Sequence, residues 1–252
     1  MARRTANQTR SDLIAIGLQM LHERGPSTAV SHIRLSSVLR RAGLTTGAAY
    51  RIWKDQTDYH HDLALEAVRF RDRTSTATSV AAVMPIIFDP AGSWHEAVRR
   101  GAEANIRSYP EDAAFLTSLA IRATSYEDPD LLAASRQRHD EAIEAYSQLY
   151  RVVLLWSRRR MRPGFSLHDL ATALAAVSEG SGLHQATGTP EVRLSLDATA
   201  SSPGDRSWSL LGVATVALCE WMTEPDPNAP DFDPACLPQR WLDDGEHPGS
   251  DA

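Results

Sequence analysis

Cysteine, lysine and long apolar runs are scarce or absent in this chain of 252 residues. Lys54 is the only lysine. The two cysteines, Cys219 and Cys236, have no histidine or cysteine at ligand spacing, which argues against a zinc site or a disulfide framework. No apolar run reaches about 18 residues, and no signal-peptide pattern opens the sequence. We therefore expect a cytoplasmic protein with no membrane partner, whose cysteines are free and partly buried.

Charge of both signs is present, but it is unevenly distributed along the chain. Residues 1–74 carry 12 arginines or lysines and 7 acids, whereas residues 224–252 carry 1 and 8. The net charges of these segments are therefore +5 and −7, in a chain whose total is −6. A basic N-terminal part on an acidic protein indicates a polyanionic partner for that end, although chance produces such asymmetry in some chains.

Apolar periodicity predicts a chain that is helical along most of its length. Near the N-terminus the pattern gives four helices, over 9–24, 35–41, a short segment after Thr45, and 57 to the mid-seventies. Further helices are predicted at 93–108, 111–124, 130–161, 167–184 and 207–223. The Ser/Thr-rich run TSTATS weakens the pattern, so we expect an all-α fold in two parts that divide near residue 75.

Capping residues support several of these helix starts. Thr9 or Ser11 is placed to cap the first helix. Asp128 followed by Pro129 is a strong start signal for the longest helix. Ser166 stands three residues before an aspartate, which is the spacing of a capping box.

Two segments interrupt the helical pattern. Residues 185–206 are polar and rich in Gly, Pro and Ser. Their piece VRLSLD alternates as a strand does, but a lone strand in a helical domain is improbable, so we expect an extended linker. The acidic, proline-rich tail at 224–252 is expected to be largely disordered, with Leu237, Trp241 and Leu242 able to dock locally.

The last two predicted helices are apolar on more than one face. The segment SWSLLGVATVALCEWM carries two apolar stripes, and the helix before it has small residues that allow a neighbour to approach closely. Two such pairs can form a four-helix bundle between two subunits, while two core helices of a monomer would give the same pattern. The residues expected at the interface are Ala173, Ala176, Val177, Gly180, Leu210, Leu211, Ala214, Leu218 and Trp221.

The segment AGLTTGAAYRIW, at 42–53, has the composition of a surface that meets a large anion. Ala49, Ile52 and Trp53 recur at helical spacing and form the buried face of a short helix. That spacing leaves another face outward: Thr46, Gly47, Tyr50 and Arg51. A helix, a glycine turn and a second short helix fit a helix-turn-helix motif, whose second helix enters the DNA major groove. A plain surface turn between two helices is the alternative.

Each residue of this outward face has a use at a DNA surface. Thr45 can cap the helix and direct N–H groups at a phosphate. Gly47 and Ala48 lack bulk and allow close approach to base edges. Tyr50 can donate its hydroxyl to a phosphate, and Arg51 can reach a phosphate or a guanine edge.

The order of motifs around this segment resembles the N-terminal domain of the TetR (tetracycline-repressor) family of bacterial transcriptional regulators. The likeness runs through LQMLHERG, LSSVLRRAGLTTGAAYRIW and HHDLALEAV, about a quarter of the chain. It implies an all-helical homodimer: a small three-helix DNA-binding domain with a linking fourth helix, at 1–74, and a larger regulatory and dimerisation domain, at 75–223. The expected partners are operator DNA, a small-molecule effector that shifts the fourth helix, and a second copy; repression is the family's more frequent mode.

The expected DNA contacts combine the resemblance with an N-terminal arm and a lysine that follows the short helix. They are Arg3, Arg4, Ser36, Thr45, Thr46, Gly47, Ala48, Tyr50, Arg51 and Lys54. The chain departs from the family pattern in three places. Ile52 replaces a common histidine, Gln56 replaces a frequent phosphate-contacting lysine, and the stretch from Ala29 to Arg34 is longer than usual.

Beyond residue 75 the resemblance is only in the helix pattern, so effector contacts are predicted from residue type alone. Aromatic and polar side chains of the predicted helices could line an apolar cavity for a bulky, partly apolar effector. They are Trp94, Asn105, Tyr109, Arg122, Tyr126, Tyr146, Tyr150 and Trp156. The alternative for each of them is an ordinary residue of the core or of the surface, with no ligand to contact.

An enzyme and a structural adaptor are the alternatives from other classes. His60 and His61, near Asp58 and Asp62, suggest metal or acid–base work, but adjacent residues on a helix face different directions. No nucleophile elbow, phosphate loop or dinucleotide fingerprint is present, so we expect no catalytic residue, metal or cofactor. An adaptor would leave the basic N-terminal part without a purpose.

Overall fold

The computed structural model describes residues 5–25, 27–70, 74–107, 113–124, 126–195, 207–238 and 241. The expected all-α class is confirmed in these residues, with short strands added. The helices are α1 (Ala6–Arg24), α2 (Leu35–Ala42), α3 (Thr46–Ala49), α4 (Gln56–Arg69), α5 (Thr74–Ile87), α6 (Trp94–Ile106), α7 (Ala113–Thr124), α8 (Pro129–Trp156), α9 (Leu167–Ala186) and α10 (Leu210–Met222). The strands are β1 (Ser27–Val30), β2 (Arg159–Met161), β3 (Arg193–Ser195), β4 (Ser207–Ser209) and β5 (Thr223–Pro225). None of the described helices combines the length and the hydropathy that a membrane span requires.

Side-chain caps set where several helices begin. The first helix starts earlier than predicted because Thr5 and Gln8 form a capping box, which leaves the predicted caps Thr9 and Ser11 inside the helix. Asp128 caps α8 as predicted, since its Oδ1 accepts hydrogen bonds from the backbone N–H groups of Asp130 and Leu131. The capping box predicted at the start of α9, between Ser166 and Asp169, is also confirmed.

Three segments differ from the sequence expectations. The TSTATS run begins helix α5 instead of marking a break. The longest helix ends at Trp156, because the arginine-rich residues after it form β2 and pair with β5. VRLSLD was expected to be a linker, but Arg193–Ser195 pairs with Ser207–Ser209, a segment that the periodicity had assigned to the last helix.

The acidic tail is partly structured in the described residues. It contributes β5, a 3₁₀-helix at Pro234–Cys236, and two side chains, Leu237 and Trp241, that are buried in an apolar cluster. These burials account for the departure from a largely disordered tail, because apolar area removed from water offsets the loss of chain entropy. Leu242 lies outside the described residues.

The first of two compact units comprises Met1–Asp72 and Glu111–Asp140. Its core gathers apolar residues of α1, α2, α4, α7 and the first turns of α8. The sequence had assigned α7 and α8 to the regulatory part, but Ile121 and Leu131 are buried in this core. Gly17 allows α1 and α4 to pack closely, since a Cβ there would overlap the Tyr59 hydroxyl.

The second unit comprises Arg73–Pro110 and Glu141–Ala252. In it α6 packs against α5 and α10, and α9 packs against α10. Arg99, only 2% exposed, forms ion pairs with Glu96 and Glu103. Glu103 in turn accepts a hydrogen bond from the backbone N–H of Ser209 at 2.9 Å, so this charged network joins α6 to the start of α10.

Candidate nucleic-acid interface and effector cavity

The turn between α2 and α3 is built by Gly43. Its φ of 66° is in the left-handed region, which favours glycine. The N–H of Gly43 donates to the carbonyl of Arg40, and the N–H of Leu44 donates to that of Leu39. This pair of bonds is a Schellman motif, which ends α2 and directs the chain into α3.

The short helix α3 is fixed from beneath by Trp53 and Asp62. The Trp53 indole Nε1 donates to Asp62 Oδ2 at 2.6 Å, and Arg10 Nε donates to the same oxygen at 2.8 Å. The Tyr59 ring contacts the indole edge-on, with centroids 5.1 Å apart. Burial raises the pKa of the Asp62 carboxyl, but the hydrogen bonds from Arg10 and Trp53 lower it by more than burial raises it. The net pKa of Asp62 therefore lies below its usual value.

Sequence reasoning missed Arg10 and Asp62 as supports of this site. The available signal was Trp53 itself, because a buried indole N–H normally has an acceptor. The acceptor comes from α4 and the second donor from α1, so periodicity within one segment does not reveal the pair.

The predicted outward face of α3 is exposed. Thr45, Thr46, Gly47, Tyr50, Arg51 and Lys54 are accessible, as is Ser36 on α2, while Ala48 is half-buried. Tyr50 is 63% exposed, although tyrosine is a large and partly apolar residue. Thr45 occupies the N-cap position, but its side chain makes no capping hydrogen bond, contrary to the prediction. Arg3 and Arg4 lie outside the described residues.

The Gln56 side chain forms hydrogen bonds with the backbone at the start of α2. Its Oε1 accepts the backbone N–H of Leu35 at 3.0 Å, and its Nε2 donates to the carbonyl of Ile33 at 3.3 Å. The N-cap residue of α2, Arg34, gives no side-chain cap. Gln56 therefore satisfies a helix-start donor at a position where the family pattern has a frequent lysine.

Helices of the second unit line a small, partly open apolar cavity of about 50 Å³. Four of the predicted effector residues line it: Trp94, Asn105, Tyr146 and Tyr150. The Tyr146 hydroxyl donates to Asn105 Oδ1 at 2.6 Å, and the Tyr146 and Tyr150 rings stack with centroids 6.1 Å apart. Cys219 also lines the cavity, and burial raises the pKa of its thiol to about 12, so the sulfur is protonated at neutral pH.

The other predicted effector residues lie elsewhere. Trp156 packs against a neighbouring apolar cluster and does not line the cavity. Arg122 is on α7, and Tyr126 is 71% exposed; both belong to the first unit. Tyr109 lies outside the described residues. Residue type alone does not separate the four that line the cavity from the others, since the packing of α6 and α8 brings those four together.

The size of the cavity limits what it holds in this conformation. A cavity needs roughly 10–15 Å³ to hold one water molecule, so a cavity of about 50 Å³ holds only a few atoms. Trp94 forms one wall and is itself covered by the Arg159 guanidinium, 4.2 Å from its ring centroid. A bulky effector therefore requires lining side chains to move.

The predicted dimer residues divide between an exposed and a buried face of α10. Leu210 is 52% exposed and Trp221 is 70% exposed, whereas Leu211 is only 5% exposed. Leu211 thus belongs to the subunit core, because it lies on the face that α10 turns inward, and it is not available to a partner. The remaining predicted residues, Ala173, Ala176, Val177, Gly180, Ala214 and Leu218, are partly or fully exposed.

Comparison with known proteins gives matches among solved structures only. No family profile and no curated protein matches the chain. A putative transcriptional regulator of the TetR family from Vibrio parahaemolyticus is similar at 16% identity and a TM-score of 0.47, over 86% of this chain and 99% of that one. The chain is similar to a TetR family structure.

Two further solved structures are similar to it. A protein of unknown function from Rhodococcus sp. RHA1 has 13% identity and a TM-score of 0.46, over 85% of this chain and 95% of that one. A gamma-butyrolactone receptor, described as ArpA-like, has 17% identity and a TM-score of 0.32, over 86% and 96%. At these identities and TM-scores, no function of these proteins carries over to this chain.

Proposed function

We propose that this chain is a transcription regulator that binds operator DNA through α3 and releases it when a small-molecule effector binds. The exposed face formed by Thr46, Gly47, Tyr50 and Arg51 is the observation that carries this proposal. The same short helix is held on its inner side by Trp53, so the face is both accessible and positioned. A short helix presented in this way suits the major groove.

Gly47 supports the proposal because the fold does not require a glycine there. It has no positive φ, and a Cβ at this position would meet nothing within 4 Å. Glycine in a helix costs about 0.5–1 kcal/mol relative to alanine. An outside surface that approaches the backbone closely accounts for this residue, and the edge of a DNA base is such a surface.

The charge distribution agrees with a DNA partner. Residues 1–74 carry +5 within a chain of −6, and Arg51 and Lys54 are exposed beside α3. Cations that neutralise phosphates release counterions, so affinity for DNA should fall steeply with salt.

A twofold dimer is part of the proposal. Leu210, Ala217 and Trp221 place exposed apolar side chains along α10, and Ala176 and Leu183 do so on α9. Exposed apolar surface of this kind is typical of an interface, and a second copy of the same two helices forms a four-helix bundle. A dimer can read two half-sites about 34–36 Å apart.

The cavity lined by Tyr146 and Tyr150 is the proposed effector site. Its walls are largely apolar, and the Tyr146–Asn105 pair provides one polar end, which suits a partly apolar molecule with a polar group. Repression, with release by the effector, is the mode that the family resemblance favours.

The decisive experiment compares two double variants of matched chemistry. Genomic fragments are first selected on the wild-type protein, and affinity for the best fragment and for random DNA is then measured by fluorescence anisotropy. Tyr50→Ala with Arg51→Ala removes the proposed contacts, whereas Tyr126→Ala with Arg136→Ala removes an exposed tyrosine and arginine elsewhere in the same unit.

We expect the first pair to lose specific affinity by tenfold or more, since a good base contact contributes about 1–3 kcal/mol. The second double variant should bind the selected fragment with the affinity of the wild type. Circular dichroism should show that both double variants are folded. Equal specific affinity in the two double variants would contradict the assignment of α3 as the contact surface, whereas a wild type that binds no fragment better than random DNA would favour the adaptor alternative.

A further inference from the structure

Three side chains with metal-ligand chemistry meet in the first unit. His61 of α4 and the carboxylates of Asp128 and Asp130, at the start of α8, bring one nitrogen and two oxygens within 4.8 Å of one another. His61 Nε2 is 3.2 Å from Asp128 Oδ2 and 3.9 Å from Asp130 Oδ2. We propose that this cluster binds a divalent first-row transition-metal ion.

The helix start orients the carboxylate of Asp128. Its Oδ1 accepts the N–H groups of Asp130 and Leu131, at 3.0 and 3.1 Å, as the cap of α8. The other oxygen, Oδ2, is thereby turned toward His61. A ligand that is held by a second hydrogen-bonded contact loses less freedom when a metal binds.

The two adjacent histidines of α4 have different surroundings. His60 Nε2 lies 3.0 Å from the Ile33 carbonyl and 2.7 Å from Gln56 Nε2, so its ring faces the start of α2. His61 faces the start of α8 instead. The sequence correctly indicated that adjacent histidines do not converge, but it could not show that distant aspartates complete the surroundings of one of them.

The two separations that involve His61 fit a metal with small adjustment, and the two carboxylate oxygens lie within 4.8 Å of one another. Ligand atoms about 2.0–2.2 Å from a tetrahedral zinc ion are roughly 3.3–3.5 Å apart. The His61–Asp128 separation of 3.2 Å is close to this value, and the His61–Asp130 separation of 3.9 Å has to shorten by about half an ångström. The Asp130 side chain is 72% exposed and can move by that amount.

The composition of the cluster indicates the class of ion. One imidazole with two carboxylates suits zinc, manganese, iron, cobalt or nickel, whereas magnesium and calcium prefer oxygen ligands alone. The three side chains line an open hollow together with Glu127, so water or this glutamate can fill the remaining positions. A dication neutralises the two carboxylates, which otherwise repel each other.

Zinc binding to the untagged full-length protein tests the site independently of DNA binding. Isothermal titration and thermal unfolding are measured with zinc and with magnesium for the wild type, His61→Gln and Asp130→Asn. His168→Gln is the matched control, since His168 is an exposed histidine beside an aspartate in the second unit. Asp128 is left intact because it caps α8.

We expect the wild type and His168→Gln to bind one zinc ion per chain and to gain thermal stability with it. His61→Gln and Asp130→Asn should fold, by circular dichroism, and bind zinc at least tenfold more weakly. Unchanged zinc affinity in both of these variants would overturn the proposal, and so would equal binding of magnesium, which would remove the assigned class of ion.

Discussion

Replacing Asp62 with alanine tests whether one carboxylate oxygen holds the short helix α3 in place. The oxygen accepts hydrogen bonds from the Trp53 indole at 2.6 Å and from Arg10 at 2.8 Å. Trp53 is 2% exposed, so its N–H would lose its partner in a site that water reaches poorly. An unsatisfied buried donor costs about 1–3 kcal/mol.

The hydrogen bonds from Trp53 and Arg10 to Asp62 should contribute unequally to the free energy of unfolding. Arg10 is 36% exposed and can bind water when its partner is removed, so its share of the free energy of unfolding is about 0–1 kcal/mol. We therefore expect Asp62→Ala to lower the free energy of unfolding by about 2 kcal/mol and Arg10→Ala to lower it by less than about 1 kcal/mol. Asp62→Asn keeps an acceptor for the Trp53 N–H, so its free energy of unfolding should lie between those of the wild type and Asp62→Ala.

Urea unfolding followed by tryptophan fluorescence, in a chelating buffer, measures these differences. A loss in the Arg10 variant as large as that in Asp62→Ala would show that the ion pair, and not the indole bond, dominates. A value for Asp62→Ala within about 0.5 kcal/mol of wild type would refute the reasoning, since surface substitutions typically stay in that range.

Three further outcomes follow from the packing and charges. Gly17→Ala should lower the free energy of unfolding by about 1–3 kcal/mol, through overlap with the Tyr59 hydroxyl. Adding Tyr59→Phe should recover part of this loss in the same urea titration; no recovery would place the clash elsewhere. Burial raises the pKa of the Glu96 carboxyl, but hydrogen bonds from Arg99 and its neighbour bring it below the usual 4.5. A lowered folded-state pKa stabilises above the unfolded value and is lost as pH falls through the folded one, so the stability gap between wild type and Glu96→Gln should narrow below about pH 4.5. A constant gap would contradict this. Trp221→Arg should convert the proposed dimer to monomers in sedimentation equilibrium while circular dichroism shows an unchanged helix content, since Trp221 is 70% exposed; a persisting dimer would remove Trp221 from the interface.

The sequence predicted those parts of the fold whose signals are local. The glycine turn at Gly43, the outward face around Tyr50 and the cap at Asp128 depend on neighbours within one helical turn, so periodicity and residue type were sufficient. The start of α1 was misplaced because Thr9 is as good a capping type as Thr5, and the choice depends on Gln8 completing the box.

Features that join distant segments could not be predicted in this way. β3 finds its partner in a stretch that also fits a helix, and Leu211 faces inward only because of how α10 packs. On the same grounds the support of Trp53 by Asp62 and the convergence of His61 with Asp128 depend on tertiary contacts. Both faces of α10 are apolar in sequence, and only packing distinguishes the buried face from the exposed one.

The position of Gln56 constrains any attempt to add positive charge beside α3 by design. A lysine there would add a cation beside α3, the helix proposed to meet DNA. It would also remove the acceptor of the Leu35 N–H and expose the first turn of α2 to fraying, because a lysine ammonium has no acceptor. A gain in positive charge at this position is therefore coupled to a weaker start of the helix on which α3 rests, and the two properties have to be improved together.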